Sequence, residues 1–146
     1  MKKLQKTLSI SLKRVIAGPP SKVFEAWLDP SQPCNPWNSG KTLGLEPRPG
    51  ALFCIMKGSA AYVFGRILKL AKGRQVEYSW MSPYTHGVET RVMVQFKKHA
   101  SGTLMTLRHT GLPNDGHGRA HGSGWEQFLG MMEGYFSVSR TAKEAL

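Results

Sequence analysis

The chain has 146 residues, 40% hydrophobic and 20% charged, a size and balance that suit one domain with its own core and exclude global disorder. No apolar run approaches the ~20 residues that span a bilayer. Two cysteines, Cys34 and Cys54, make neither a disulfide framework nor a zinc set, so a reduced, cytoplasmic protein is expected.

The net charge of +11 would steer the chain toward nucleic acid, anionic surfaces or acidic proteins. The basic residues run from Lys2 to Lys143 without forming one tract. The nearest to a patch is Arg66, Lys69, Lys72, Arg74, Arg91, Lys97 and Lys98. No helix-turn-helix, RNA-binding aromatic signature or zinc finger accompanies them, so nucleic acid is only weakly supported.

In chain order, Leu8, Ile10 and Leu12 alternate with polar residues, which predicts a strand over Thr7–Ile16 rather than an export signal. "GPPSKVFEAWLDP" reads as a short helix with Val23, Phe24, Trp27 and Leu28 on one side and Pro30 closing it. Prolines between Asp29 and Gly50 exclude long regular elements, and a short helical turn ending near Trp37 fits among them. Strands separated by turn residues follow: "ALFCIMK", "AYVFGRILKL", "RQVEYSW", "GVETRVMVQFKK" and "TLMTLRHTG". Alternation puts Val76, Tyr78 and Trp80 on one face, with Gln75, Glu77 and Ser79 opposite. Val88, Thr90, Val92, Val94 and Phe96 share a face in the next strand, and Met105, Leu107 and His109 in the last. Short connections favour consecutive antiparallel pairing. Trp125, Phe128, Leu129, Met132, Tyr135 and Phe136 have helical spacing and predict a long apolar stripe. The glycines at 116, 118, 122 and 124 argue against helix at the start of that region. The expected fold is α+β: one strand, one or two short helices, about six antiparallel strands, and a C-terminal helix covering the curved sheet. One domain over residues 1–146 is expected.

The order of elements is similar to the helix-grip fold of the START and birch-pollen-allergen superfamily, SRPBCC. More narrowly, "VFEAWLDP" with Trp37, "GRILKL...RQVEYSW", "GTLMTLRHTGLP" and "HGSGWEQFL" resemble the family homologous to the C-terminal domain of activators of the heat-shock protein 90 ATPase. The resemblance runs from about Thr7 to Phe136. It implies an apolar cavity between sheet and last helix, often used for small hydrophobic ligands, without implying one activity.

His109 ends a strand on the inner side, where it could transfer protons near pH ~6.5, or serve as a hydrogen-bonded core histidine. His117 and His121 have the i, i+4 spacing of zinc ligands, with Asp115 the one nearby carboxylate, but the glycines argue against that use. No metal site and no cofactor are expected. The proposed ligand-contacting set is Trp37, Trp80, Met105, Leu107, His109, His121, Trp125, Phe128 and Met132. Trp37 is placed at the cavity mouth, and Trp80 and Trp125 are read first as core anchors, which can also form a cavity wall. Gly130 and Gly134 leave a thin helix surface that a second chain could approach, so monomer and homodimer both stay open. The leading functional reading is non-catalytic binding of a small hydrophobic molecule. The alternatives are a chaperone-linked or other protein-interaction module using the basic surface, and a cyclase- or hydrolase-like enzyme using His109 and His121.

Overall fold

Alternating burial along Leu8–Ile16 makes β1, and the same physics repeats through the chain. The computed structural model describes residues 6–31, 35, 41–57 and 60–145; Cys34 and Trp37, with the expected helical turn, lie outside them. After β1 come α1 (Pro20–Leu28), β2 (Lys41–Gly44), β3 (Leu52–Lys57), β4 (Ala60–Ala71), β5 (Gln75–Trp80), β6 (Thr90–His99), β7 (Gly102–Leu112) and α2 (Gly116–Ala145). The strands form one seven-stranded sheet in the order β1-β7-β6-β5-β4-β3-β2, antiparallel at every pairing. Register shifts at Leu8/Ile10, Ile55/Met56 and Ile67/Lys69 are irregularities of the kind that bend and twist a sheet.

Both helices share one core with the sheet. Val23, Phe24, Trp27 and Leu28 of α1 are buried, and Trp27 meets Trp125 of α2 with ring centroids 6.1 Å apart. Val76, Tyr78, Val92, Val94, Phe96, Met105 and Leu107 complete the inner face. The predicted parity therefore holds on β5, β6 and β7, with one exception: Val88 precedes β6 and is 56% exposed. On α2, Trp125, Leu129 and Met132 are buried, Phe128 and Phe136 are half-buried, and Tyr135 is exposed. The stripe is narrower at its C-terminal end than its spacing suggests.

The start of α2 departs most from expectation. Helix begins at Gly116 and runs through all four glycines. Asp115 supplies what propensity lacks, because its Oδ1 accepts the Gly118 amide at 3.0 Å, the bond of an N-cap. Gly118 is required there: a Cβ would lie 1.8 Å from the Pro113 carbonyl oxygen. Farther along, α2 lies against β1. Arg14 of β1 pairs with Glu126 and, at 3.3 Å, with Glu133. A Cβ on Gly130 would meet the same arginine, so this glycine faces β1, whereas Gly134 is exposed.

Candidate functional site

His109 is fully buried on β7, and both of its ring nitrogens are engaged. Trp125 donates its indole N–H to Nδ1 at 3.0 Å, so Nδ1 carries no proton and the ring is the Nε2–H tautomer. Nε2 then donates to Thr90 Oγ1 at 2.6 Å, and the Thr90 hydroxyl donates to the Trp80 carbonyl, also at 2.6 Å. This chain fastens the end of β5, the start of β6, β7 and α2 to one another. Burial, and secondarily the neighbouring His121, lowers the His109 pKa to about 3. A protonated ring would turn a second N–H against the Trp125 donor. His109 is therefore a neutral hydrogen-bonded histidine at physiological pH, not a poised acid or base.

Beside this chain is a recess of about 300 Å³, lined by residues of β4, the end of β5, the following loop and the first turns of α2. Trp80, Trp125 and Phe128 give it aromatic walls; Tyr62, Tyr84 and His121 add polar groups. The Trp80 and Trp125 rings lie 4.9 Å apart, and Trp125 meets Phe128 at 5.6 Å. Tyr62 and Tyr84 meet edge-on at 5.8 Å. Burial and the hydrogen bond with Tyr84 push the Tyr62 hydroxyl up to about 12, so it stays protonated and can donate. His121 stacks edge-on against His109 at 5.1 Å, and burial lowers its pKa against the opposing effect of backbone hydrogen bonds. The space itself comes from small residues: Ala120 and Gly124 line it, and nothing lies within 4 Å of where a Gly124 Cβ would be.

Of the residues expected to touch a ligand, Trp80, His121, Trp125 and Phe128 line this recess. Met105, Leu107 and Met132 are buried in the packed core behind it, and His109 does not line it but backs its wall, hydrogen-bonded to Trp125 and stacked edge-on against His121. Tyr62, Val63, Ser82, Tyr84, His117 and Gly124 escaped sequence reasoning as recess-lining residues. A signal for part of this set was present. His117, His121, Trp125 and Phe128 continue one helical stripe, discounted because of the glycines between them. A larger groove of about 580 Å³ between α1 and β4 gathers none of the expected residues. It is bordered by Asp29 and Pro30 at the end of α1.

His117 and His121 do not converge as a metal-binding pair. His121 turns to His109, whereas His117 lies beside His86 and Asp115, the three offering ligand atoms within 4.8 Å of one another. His86 Nε2 is 2.7 Å from Asp115 Oδ2. That bond, followed by the Gly118 amide, lowers the Asp115 pKa.

An antiparallel sheet covered on one face by a long C-terminal helix, with a recess between the two, defines a helix-grip protein. The chain belongs to the activator of Hsp90 ATPase homolog 1-like protein family, whose model matches residues 17–137. Solved structures agree on the fold. MLL2253 from Mesorhizobium loti is 20% identical with a TM-score of 0.72, the match covering 86% of this chain and 94% of that one. CalU16 from Micromonospora echinospora is 24% identical with a TM-score of 0.68, covering 94% and 82%. The Aha1 dimer from Colwellia psychrerythraea is 15% identical with a TM-score of 0.73, covering 88% and 96%. Comparison with curated protein sequences finds no significant match. No helix among the described residues is long and apolar enough to cross a membrane.

Proposed function

We propose that this protein binds a small, mostly apolar molecule carrying an oxygen function in the recess between α2 and the β4–β5 end of the sheet. The observation that carries the reading is the lining: Trp80, Trp125 and Phe128 as walls, with Tyr62, Tyr84 and His121 as polar groups. Apolar walls with a few placed polar groups are the usual composition of a small-molecule site, and this volume is at the lower end of their ~300–1,000 Å³ range. A ring system of two or three rings suits it better than a long acyl chain. The reading is non-catalytic and cytoplasmic. Both His109 nitrogens are committed to hydrogen bonds, which argues against a proton transfer shared with His121.

A neutral fluorescent probe, N-phenyl-1-naphthylamine, tests this directly. It should bind at one molecule per chain. Gly124→Phe, which puts a ring into the open space, should weaken binding by about tenfold or more, a loss of about 1.4 kcal/mol, with unchanged far-UV circular dichroism. Saturable binding that is indifferent to Gly124→Phe would place the probe elsewhere and sink the proposal.

A second reading, as a protein-interaction module, draws support from the sheet face away from the helices. Arg66, Lys69, Arg91, Lys97 and Arg108 are exposed on it. Arg74 is exposed in the β4–β5 turn, and Lys72 and Lys98, also exposed, lie on the helix side near the start of α1. An acidic protein surface, on a chaperone or another partner, would complement that face. The Aha1 structure from Colwellia psychrerythraea is described as a dimer; a homodimer here belongs to the same second reading. Crosslinking and sedimentation at varied salt would separate a partner held by charge from a self-associating chain.

A further inference from the structure

At the rim of the recess the fold brings together two histidines and an aspartate from segments about thirty residues apart in sequence. His86 follows a 3-10 turn, Pro83–Thr85, locked by reciprocal bonds between Ser82 and Thr85. Its own backbone is in the left-handed region at φ 55°, so its side chain leaves the turn from a constrained position. Asp115 has its Oδ1 bound to the Gly118 amide and aims Oδ2 at His86, 2.7 Å away. His117, in the first turn of α2, meets the His86 ring at 5.3 Å and 82°.

We propose that His86, Asp115 and His117 form a binding site for a divalent transition ion of the zinc, cobalt or nickel type. Two imidazole nitrogens with one carboxylate oxygen are the donors such ions prefer, whereas magnesium and calcium select all-oxygen sets. Ligand atoms bonded at ~2.0–2.1 Å to a tetrahedral ion lie about 3.3 Å apart. The farthest pair here, at up to 4.8 Å, therefore needs about 1.5 Å of closure. Both histidines are exposed and Asp115 half-buried, so side-chain rotation supplies that movement and the ion has a path in. The carboxylate is fixed before the ion arrives, because its other oxygen caps the helix. Three protein ligands leave at least one position for water or another oxygen donor. His117 lines the recess as well, so the site adjoins it. The proposal does not depend on a ligand filling that recess.

The test uses tag-free protein and the metal alone. Cobalt(II) should bind one per chain with visible absorption of a low-coordinate site, and zinc should displace it. His86→Gln, Asp115→Asn and His117→Gln should each weaken zinc binding in calorimetry by about tenfold or more. Asp115→Asn is the most informative, since asparagine caps a helix as well as aspartate and removes only the charged ligand. His99→Gln, in the β6–β7 hairpin, should change nothing. Absence of saturable binding up to about 1 mM zinc, near the ~4 kcal/mol limit of weak association, would overturn the proposal. So would an affinity that survives all three substitutions.

Discussion

Each nitrogen of His109 has one partner, and the partners fix which nitrogen holds the proton. That single side chain makes stability depend on pH with a definite sign. An unfolded histidine titrates near ~6.5, whereas His109 in the fold titrates at about 3. Between those values the unfolded chain binds a proton that the folded chain refuses. Stability is complete above about pH 6.5 and declines as pH falls, by about 1.4 kcal/mol per unit from this residue. His121, lowered in the same direction, adds to the slope. Urea titrations between about pH 7 and pH 5 should show the decline above the range of ordinary carboxylates. His109→Asn, which keeps an acceptor for Trp125, should flatten it. An equally steep slope in the variant would assign the effect to other groups. The sequence placed this histidine on the inner face by strand parity alone. Its neutrality was not legible, because Thr90 and Trp125 reach it from different elements.

Helix α2 shows where local preference yields to its surroundings. Glycine costs about 1 kcal/mol relative to alanine within a helix, and four of them precede Trp125. Asp115 caps the helix, and Gly118 admits the Pro113 carbonyl, so at least one glycine is needed for the entry geometry. Gly124 has no such role in packing. Gly124→Ala should raise stability by about 1 kcal/mol in a denaturant titration; a loss instead would mean that the recess tolerates not even a methyl group. Trp125→Ala should cost about 3–5 kcal/mol and Phe128→Ala less, because Phe128 is only half-buried. Glu126→Gln, at a partly exposed ion pair with Arg14, should cost no more than about 1 kcal/mol. The stripe from Trp125 onward was readable from spacing. Its extension back to His117 was not, because the cap and the Pro113 contact outweigh propensity only once the chain has turned.

At the scale of the whole molecule, the two sheet faces divide the labour. The inner face is apolar and carries helices. The outer face carries much of the positive charge around Glu77, which is only 7% exposed and pairs with Arg91 at 3.2 Å. Arg91 is thus partly committed, whereas Arg66 and Lys69 form no ion pair with a carboxylate among the described residues. For duplex DNA, replacing Arg66, Lys69 and Arg91 with glutamine should reduce the slope of log affinity against log salt by about 2, Arg91 contributing least. Fluorescence anisotropy across a salt series would measure it. A sequence-selective complex persisting at physiological salt would contradict the expectation of weak, non-specific binding. Element order and strand parity were legible because alternation and helical spacing are local patterns. The recess was only partly so: parity shows that Met105, Leu107 and Trp80 face inward, but not which of them meet packed core and which meet open space. That depends on where Tyr62 of β4 and Tyr84 of the turn after β5 arrive beside the start of α2, a long-range outcome.

The two indoles in the recess wall also make the protein its own optical reporter. Trp80 and Trp125 lie 4.9 Å apart with planes inclined at 56°, close and skewed enough for their electronic transitions to couple. Coupled transitions of this kind give paired circular-dichroism bands of opposite sign, whose strength follows separation and angle. A guest between the rings and Phe128 would change both. Loss of that band pair on ligand addition, with the backbone spectrum intact, would reveal occupancy without any attached label.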